Sequence, residues 1–314
     1  MINVTVIDKV YLTDSICRLR MKATDSTALP LASAGSHIDV HLGNGCIRQY
    51  SLCCEHGADY YEIAVLKEEN GRGGSTFIHE EINEGDEFQI SEPKNLFPLA
   101  ANANESILIA AGVGVTPILS MAETLHREGK PFTMHYCSKN ELQTAYKKRI
   151  DASSFVDRVQ YHFSEINGRM PLNDAICSAR DGLHLYVCGP TSFTDSVIHY
   201  ASENGWGSSN IHREYFSAAP IENGSEQSFE IEIKSTGDIY TVPADQSILE
   251  VLDEEGIFIP VACEQGVCGS CITGLLSGEA DHKDVFMTKD EHSIMNKITP
   301  CCSRAKSSRL TLDL

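Results

Sequence analysis

The sequence predicts a multidomain chain: an antiparallel β-barrel, an α/β domain built on a parallel sheet, and a small mixed domain around a cysteine-rich loop. Three observations predict it. The 314 residues exceed one domain of about 100–200 residues. Short alternating strands give way near Glu105 to strand–helix alternation. The stretch from Ser228 onward gathers 5 of the 12 cysteines.

Bulk properties narrow the function. The composition is globular, 42% hydrophobic and 22% charged, and no stretch approaches the roughly 18 apolar residues that span a bilayer. The N-terminal residues lack a basic segment followed by an apolar core, so no signal peptide and a cytoplasmic location are expected. Twelve cysteines there read as ligands and free thiols rather than six disulfides. A net charge of −19 argues against nucleic acid or an anionic membrane as partner. From Ser228 to Leu314, 15 acidic residues against 7 basic ones leave −8. Such a face would steer a basic protein acceptor, and it also serves solubility.

In the first stretch, Val4–Val10, Ile16–Met21, His37–His41, Cys46–Cys53, Tyr60–Leu66 and Glu87–Ile90 are β-branched or alternating, and Gly43-Asn44-Gly45 has hairpin chemistry. Six strands with little helix predict a small antiparallel barrel. Arg48-Gln49-Tyr50-Ser51 lies on one strand. Gly71-Arg72-Gly73-Gly74-Ser75 opens a helix over Thr76–Ile82, and its free N–H groups suit a phosphate.

The middle stretch starts with the apolar run Ile107–Ala111, expected for a parallel strand buried on both faces. Gly112-Val113-Gly114-Val115-Thr116-Pro117 and a helix over Ile118–Arg127 follow. Strands over Phe132–Cys137, Arg158–Phe163 and Leu183–Val187 alternate with helices over Glu141–Arg149, Asn173–Ser178 and Thr191–Glu203. An open parallel sheet of this kind binds its ligand at the C-terminal strand ends. Gly112-x-Gly114 fits a pyrophosphate but lacks the third glycine of the dinucleotide fingerprint.

Ser217–Gln227, with few large apolar residues, reads as a linker. Beyond it come a strand pair, Phe229–Ile233 and Ile239–Val242, a helix over Ser247–Glu255 closed by Gly256, and a final strand, Leu310–Leu314. Between helix and final strand, Cys263, Cys268 and Cys271 are separated by four and two residues, with Cys301 further on. That is the plant-type [2Fe–2S] spacing. A structural zinc site would show two short Cys/His pairs, and only Cys268 and Cys271 form one. Cys302 adjoins Cys301, so the spacing leaves the fourth ligand open between them.

Arg48-x-Tyr50-Ser51, Gly71-Arg72-Gly73-Gly74-Ser75, Gly112-x-Gly114-x-Thr116-Pro117, Cys188-Gly189-Pro190 and the cysteine loop, in this order, resemble the phthalate dioxygenase reductase and vanillate demethylase reductase family of the ferredoxin-NADP reductase superfamily. The resemblance covers essentially the whole chain. It implies a flavin barrel over 1–98, an NAD domain over 99–217, a linker over 218–227 and a β-grasp ferredoxin domain over 228–314. Arg48 would hold the flavin phosphate with Gly73, Gly74 and Ser75. Tyr50 and Ser51 would lie against the isoalloxazine, which Ala64, Val65 and Leu66 line. The glycine-rich form implies FMN rather than FAD. Gly112, Gly114, Thr116, Pro117, Cys188, Gly189 and Pro190 would bind nicotinamide, and Thr116, Cys188, Glu214 and Phe216 would shape the hydride-transfer site. Cys301-Cys302-Ser303-Arg304-Ala305 favours Cys301 as the fourth ligand. Lys139 follows Ser138 where the NADPH pattern has arginine, so NADH is expected.

The function implied is the reductase component of a two-component oxygenase. A monomer would carry electrons from NADH through FMN and the cluster to a Rieske-type terminal mono- or dioxygenase acting on a small aromatic substrate. A stand-alone flavin or ferric reductase and a redox-sensing interaction protein are the alternatives.

Overall fold

The structure, a computed structural model, describes residues 1–54, 57–69, 71–216, 227–294 and 296–314. It forms two compact units, residues 1–216 and 217–314. No helix among the described residues is long and apolar enough to cross a membrane.

The first unit begins with an antiparallel barrel of β1 (Ile2–Tyr11), β2 (Ile16–Ala23), β3 (Ser36–His41), β4 (Ile47–Ser51), β5 (Tyr61–Leu66), β6 (Glu87–Ile90) and the short β7 (Lys94–Asn95), with α1 (Gly74–Glu80) between β5 and β6. The strand order is β4-β3-β6-β1-β2-β5, with β7 on β3. Alternation explains the register. On β2, Cys17, Leu19 and Met21 are fully buried while Arg18 and Arg20 are not, so one face feeds the core with Val4, Ile38, Ile63 and Ile90. Just past β4, the Cys53 N–H donates to Glu62 O on β5 at 2.9 Å and draws the two end strands together. The Gly43–Gly45 turn joins β3 to β4 as its sequence predicts, with Gly45 at φ 81°.

The same unit continues into a five-stranded parallel sheet, order β10-β9-β8-β11-β12. Its strands are β8 (Glu105–Ala111), β9 (Phe132–Ser138), β10 (Val159–Phe163), β11 (Leu183–Cys188) and β12 (Ile211–Glu214). The helices are α2 (Val115–Arg127), α3 (Lys147–Asp151), the single turns α4 (Ser164–Asn167) and α5 (Leu172–Ala175), and α6 (Thr191–Glu203). The strand order reverses between β8 and β11, which opens a crevice at their C-terminal ends.

Four of the expected helices differ by two or more residues; α5 starts one residue early, at Leu172, and stops at Ala175, three residues short of Ser178. α1 starts at Gly74, two residues early, and ends at Glu80. α2 starts at Val115 because Pro117 falls in its first turn, where an N–H has no helical partner to lose. The helix expected over Glu141–Arg149 is broken: Glu141–Gln143 is a 3₁₀ turn, Tyr146 takes φ 60°, and α3 begins at Lys147. The Asn140 side chain accepts from Gln143 N, and the Thr144 hydroxyl bonds Asn140 O and Ser138 Oγ, so side chains compete with the helical ladder.

The second unit holds β13 (Phe229–Ile233), β14 (Ile239–Val242), α7 (Ile248–Glu254), β15 (Thr273–Ser277), β16 (Ala280–Asp281), α8 (Lys289–Ile294), β17 (Lys297–Ile298), β18 (Arg304–Ala305) and β19 (Arg309–Asp313). The sheet order β14-β13-β19-β15-β17, with β13 and β19 parallel, and α7 packed beside it make a β-grasp. Ser247 caps α7 in a reciprocal capping box with Glu250. Strand β15 carries no sequence signal: Thr-Gly-Leu-Leu-Ser does not alternate. Nine of the ten residues expected as a linker, 218–226, lie outside the described residues.

Candidate functional site

The cysteine loop joins α7 to β15, and its geometry is set by sulfur and backbone. Cys271 Sγ lies 3.3 Å from Cys301 Sγ. The N–H groups of Gln265 and Val267 both donate to Cys263 Sγ at 3.4 Å, and that of Ser270 to Cys268 Sγ at 3.4 Å. The hydrogen bond with Cys263, then those of Ser270, hold the Cys268 thiol below its usual range. All four cysteines are buried. Cys302 Sγ lies 3.4 Å from Thr299 Oγ1. Convergent thiols under inward-pointing N–H groups fit a [2Fe–2S] cluster.

Residues that the spacing did not reveal shape this loop. Gly266 has φ 68°, and a Cβ there would fall 2.5 Å from Cys302 Sγ and 2.9 Å from Asp284. The Val285 and Phe286 N–H groups donate to Gly266 O at 3.1 and 3.2 Å. The buried Asp284 carboxylate accepts from Met287 N at 2.9 Å and Thr299 Oγ1 at 3.2 Å, with His292 Nε2 at 3.1 Å. Asp284 thus ties the 284–286 backbone beneath the loop. A single acidic residue in sequence gave no sign of that burial.

In the first unit, Arg48 crosses directly over Gly74, where a Cβ would sit 2.6 Å from Arg48 Cγ. Its Nη2 donates to Arg72 O at 3.0 Å. Gly73 precedes α1 with φ 79°, and the Ser75 hydroxyl accepts from Glu68 N at 3.0 Å. Arg48, Gly73, Gly74 and Ser75 therefore form one cradle of cation and backbone, which fits a phosphate. Tyr50 and Ser51 are the next alternate and adjacent residues along β4, and burial pushes the Tyr50 phenol up. Ala64 and Val65 are buried on β5 and Leu66 is half-buried.

At the crevice, Gly114 closes the turn after β8. A Cβ there would lie 2.4 Å from Cys188 O, and one on Gly189 would lie 2.8 Å from Ala111 Cβ. The two strand ends thus pack backbone against backbone. Thr116 is buried, donates to Val113 O at 3.1 Å and precedes Pro117 in the first turn of α2. Cys188 is fully buried at the end of β11, in register with Glu214 on β12, and Pro190 precedes α6. The Ser51 hydroxyl donates to Glu214 Oε2 at 3.2 Å, so the barrel strand β4 reaches the crevice. Burial pushes the Glu214 carboxyl up to about 8, against the lowering effect of Ser51, and burial and then Glu214 raise the Cys188 thiol. Phe216 is partly exposed, 39%, at the last described residue of this unit. Ser51, Cys188 and Glu214 are thereby brought together; no bond among the described residues links Phe216 to them.

Two family models match the chain. Residues 231–306 match the 2Fe-2S iron-sulfur cluster binding domain, and 92–211 match the N-terminal domain of dimethylamine monooxygenase subunit DmmA-like proteins. A vanillate O-demethylase oxidoreductase of Pseudomonas sp. (strain HR199 / DSM 7063) is 45% identical, with 100% of both chains covered. A carnitine monooxygenase reductase subunit of Escherichia coli (strain K12) is 34% identical over 100% of this chain and 98% of its own length. The solved structure of a phthalate dioxygenase reductase, described as modular for electron transfer from pyridine nucleotides to [2Fe-2S], superposes with a TM-score of 0.78 at 34% identity, covering 99% of this chain and 97% of that one.

Proposed function

The chain belongs to the family of oxygenase reductase components that includes vanillate O-demethylase oxidoreductase and phthalate dioxygenase reductase, and on that premise we propose that it carries electrons from NADH through FMN and a [2Fe–2S] cluster to a Rieske-type terminal oxygenase acting on a small aromatic substrate. The observation that carries this reading is the Ser51–Glu214 hydrogen bond beside Cys188, which joins the flavin strand to the nicotinamide crevice. The flavin domain is 1–98, the nicotinamide domain 99–217 and the cluster domain 228–314.

A flavin accepts two electrons together as hydride and passes them on singly, which is what a one-electron iron–sulfur acceptor requires. The residues supply placement. Arg48, with Gly73, Gly74 and Ser75, holds the phosphate. Tyr50, Ser51 and Ala64–Leu66 orient the ring system. Gly112, Gly114, Thr116 and Pro117 on one side, and Cys188, Gly189 and Pro190 on the other, leave a slot in which nicotinamide meets bare backbone. Glu214, raised to about 8, stays protonated at neutral pH and presents no charge there. Phe216 covers the ring face. Cys263, Cys268, Cys271 and Cys301 are the cluster ligands, a set supported by the 3.3 Å Cys271–Cys301 separation.

NADH is favoured over NADPH by the end of β9. There the Ser138 hydroxyl is already bonded to Thr144 at 2.8 Å, and Asn140 donates to Glu165 at 2.7 Å. Lys147 is tied to Glu141 and Asp151. A 2′-phosphate would meet acidic groups here. An aromatic substrate is supported by the higher identity to the vanillate relative, 45% against 34% for the carnitine one.

The test is anaerobic stopped-flow mixing with NADH, followed by addition of the purified partner oxygenase. Flavin bleaching should precede cluster bleaching, and Cys268→Ser should retain the first and lose the second. Oxygenase reduction at the wild-type rate by Cys268→Ser protein lacking cluster absorbance would sink the route.

A further inference from the structure

Outside the crevice, a buried polar assembly centres on Glu62 of β5, whose side chain is 0% exposed. Its two oxygens point to different parts of the unit. Oε2 accepts from Arg20 Nε at 2.6 Å, its cross-strand partner on β2. Oε1 accepts from Arg149 Nη1 at 2.9 Å, and Arg149 stands on α3, in the parallel-sheet part. Within the barrel, Arg20 and, at 3.8 Å, Arg18 both pair with Oε2, while the cation that pairs with Oε1 comes from the parallel-sheet part.

Arg149 uses its whole fork. Nη1 also donates to Cys53 O at 2.8 Å. Nε and Nη2 donate to Glu123 Oε1 and Oε2 on α2 at 2.9 and 2.8 Å. The three anchor points have a pattern. Cys53 lies two residues beyond Ser51, and Glu62 lies two residues before Ala64. Glu123 lies seven residues, about two helical turns, beyond Thr116 on the same helix. One guanidinium thus grips both strands that carry the flavin residues and the helix that begins at the nicotinamide turn. Beside it, Cys53 Sγ and Tyr146 OH are 2.9 Å apart, and Arg149 lies 5.6 Å from the Tyr146 ring centroid.

We propose that Arg149 is a positioning residue: by clamping Cys53, Glu62 and Glu123 together it sets the approach of the nicotinamide slot to the flavin strands. This rests on the flavin and nicotinamide assignments above. Arg149 touches neither group and acts through β4, β5 and α2. Lysine cannot replace it, since an ammonium keeps the charge but cannot span three anchors with a planar fork.

The test compares wild-type, Arg149→Lys and Glu123→Gln holoproteins. Arg149→Lys keeps Glu62 opposite a cation, and Glu123→Gln loosens only the α2 anchor, so a folding failure in one leaves the other informative. In both variants, the limiting rate of flavin reduction by NADH should fall about 10–100-fold, the cost of a displacement near 1 Å. NADH affinity should stay within about threefold, since the slot itself is intact. The long-wavelength absorbance of nicotinamide stacked on flavin should weaken in step with the rate. In cofactor-stripped protein, amide exchange over 61–66 and 112–116 should rise in both variants. An unchanged limiting rate in both variants would overturn the proposal. So would a loss of rate that only parallels losses of NADH affinity and melting temperature, which would mark a general structural role. Wild-type flavin that NADH cannot reduce would overturn the functional reading as well, and thereby separates the two failures.

Discussion

At the scale of single residues, the absence of one carbon atom governs the turn proposed above as the phosphate cradle. An alanine at Gly74 would place Cβ 2.6 Å from Arg48 Cγ and 2.8 Å from Nε. The Arg48 side chain must then leave its place. Gly74→Ala should weaken flavin retention about 10-fold or more, the loss of one charge-assisted contact, with the fold intact. Fluorescence titration of apoprotein with FMN checks this. Glu214 makes a prediction of opposite character. Its folded pKa is raised to about 8 from an ordinary 4.5 by burial, so between these values the folded state holds a proton that the unfolded state has released. Stability from this group therefore falls as pH rises from about 4.5 to about 8. Glu214→Gln should melt higher relative to wild type at pH 8.5 than at pH 5, by differential scanning fluorimetry. The motif residues could be singled out in the sequence because the chemistry they suggest demands a fixed spacing. Asp284, Glu62 and Arg149 were not, because their side-chain hydrogen-bond partners, Met287 apart, lie 8 to 96 residues away in the chain and an isolated charged residue usually faces solvent.

At the scale of elements, the parallel sheet carries two cross-strand histidine pairs. His135 Nδ1 lies 3.0 Å from His162 Nε2 across β9 and β10, and His184 Nδ1 lies 2.8 Å from His212 Nε2 across β11 and β12. Burial, and then the neighbouring imidazole, push His135 and His212 down to about 4. The unfolded chain takes up these protons near pH 6.5 and the folded sheet does not, so their contribution is lost as pH falls from about 6.5 toward 4. Replacing both partners of one pair, as in His135→Phe with His162→Leu, should flatten the acid limb of the melting profile. The strands were read well from sequence because burial on two faces leaves continuous apolar runs and burial on one face leaves alternation. β15 escaped because its neighbours, not its own pattern, recruit it: it pairs β17 on one side and, with a bulge between Leu275 and Ser277, β19 on the other. The break at Tyr146 escaped because three side-chain hydrogen bonds around Asn140 and Thr144 outweigh local helix propensity.

At the scale of the whole molecule, two compact units divide the chemistry at residue 216. A chain cut after Phe216 contains the proposed cradle and the crevice but none of Cys263, Cys268, Cys271 and Cys301, the proposed ligands. It should bind FMN and reduce ferricyanide with NADH while failing to reduce the oxygenase, and activity assays with the two acceptors check this. The acidity of the second unit, −8 from Ser228 to Leu314, places a further test here. Charge reversal at Glu254 and Glu255 should slow oxygenase reduction several-fold at low salt, with the difference fading above ~0.3 M as screening shortens. Flavin reduction by NADH should be unaffected.

The position of β19 has a consequence for biosynthesis. This strand, Arg309–Asp313, lies between β13 and β15 in the middle of its sheet. The first unit is fully translated by residue 216, and its sheets need nothing later in the chain. At about 5–20 residues per second, it has several seconds to fold while the ribosome makes the remainder. The β-grasp has no such head start. Its central strand, and with it the platform beneath Cys271 and Cys301, is missing until residue 313 clears the exit tunnel. Cluster insertion should therefore follow flavin binding, and pulse-labelled chains should carry flavin before they carry iron.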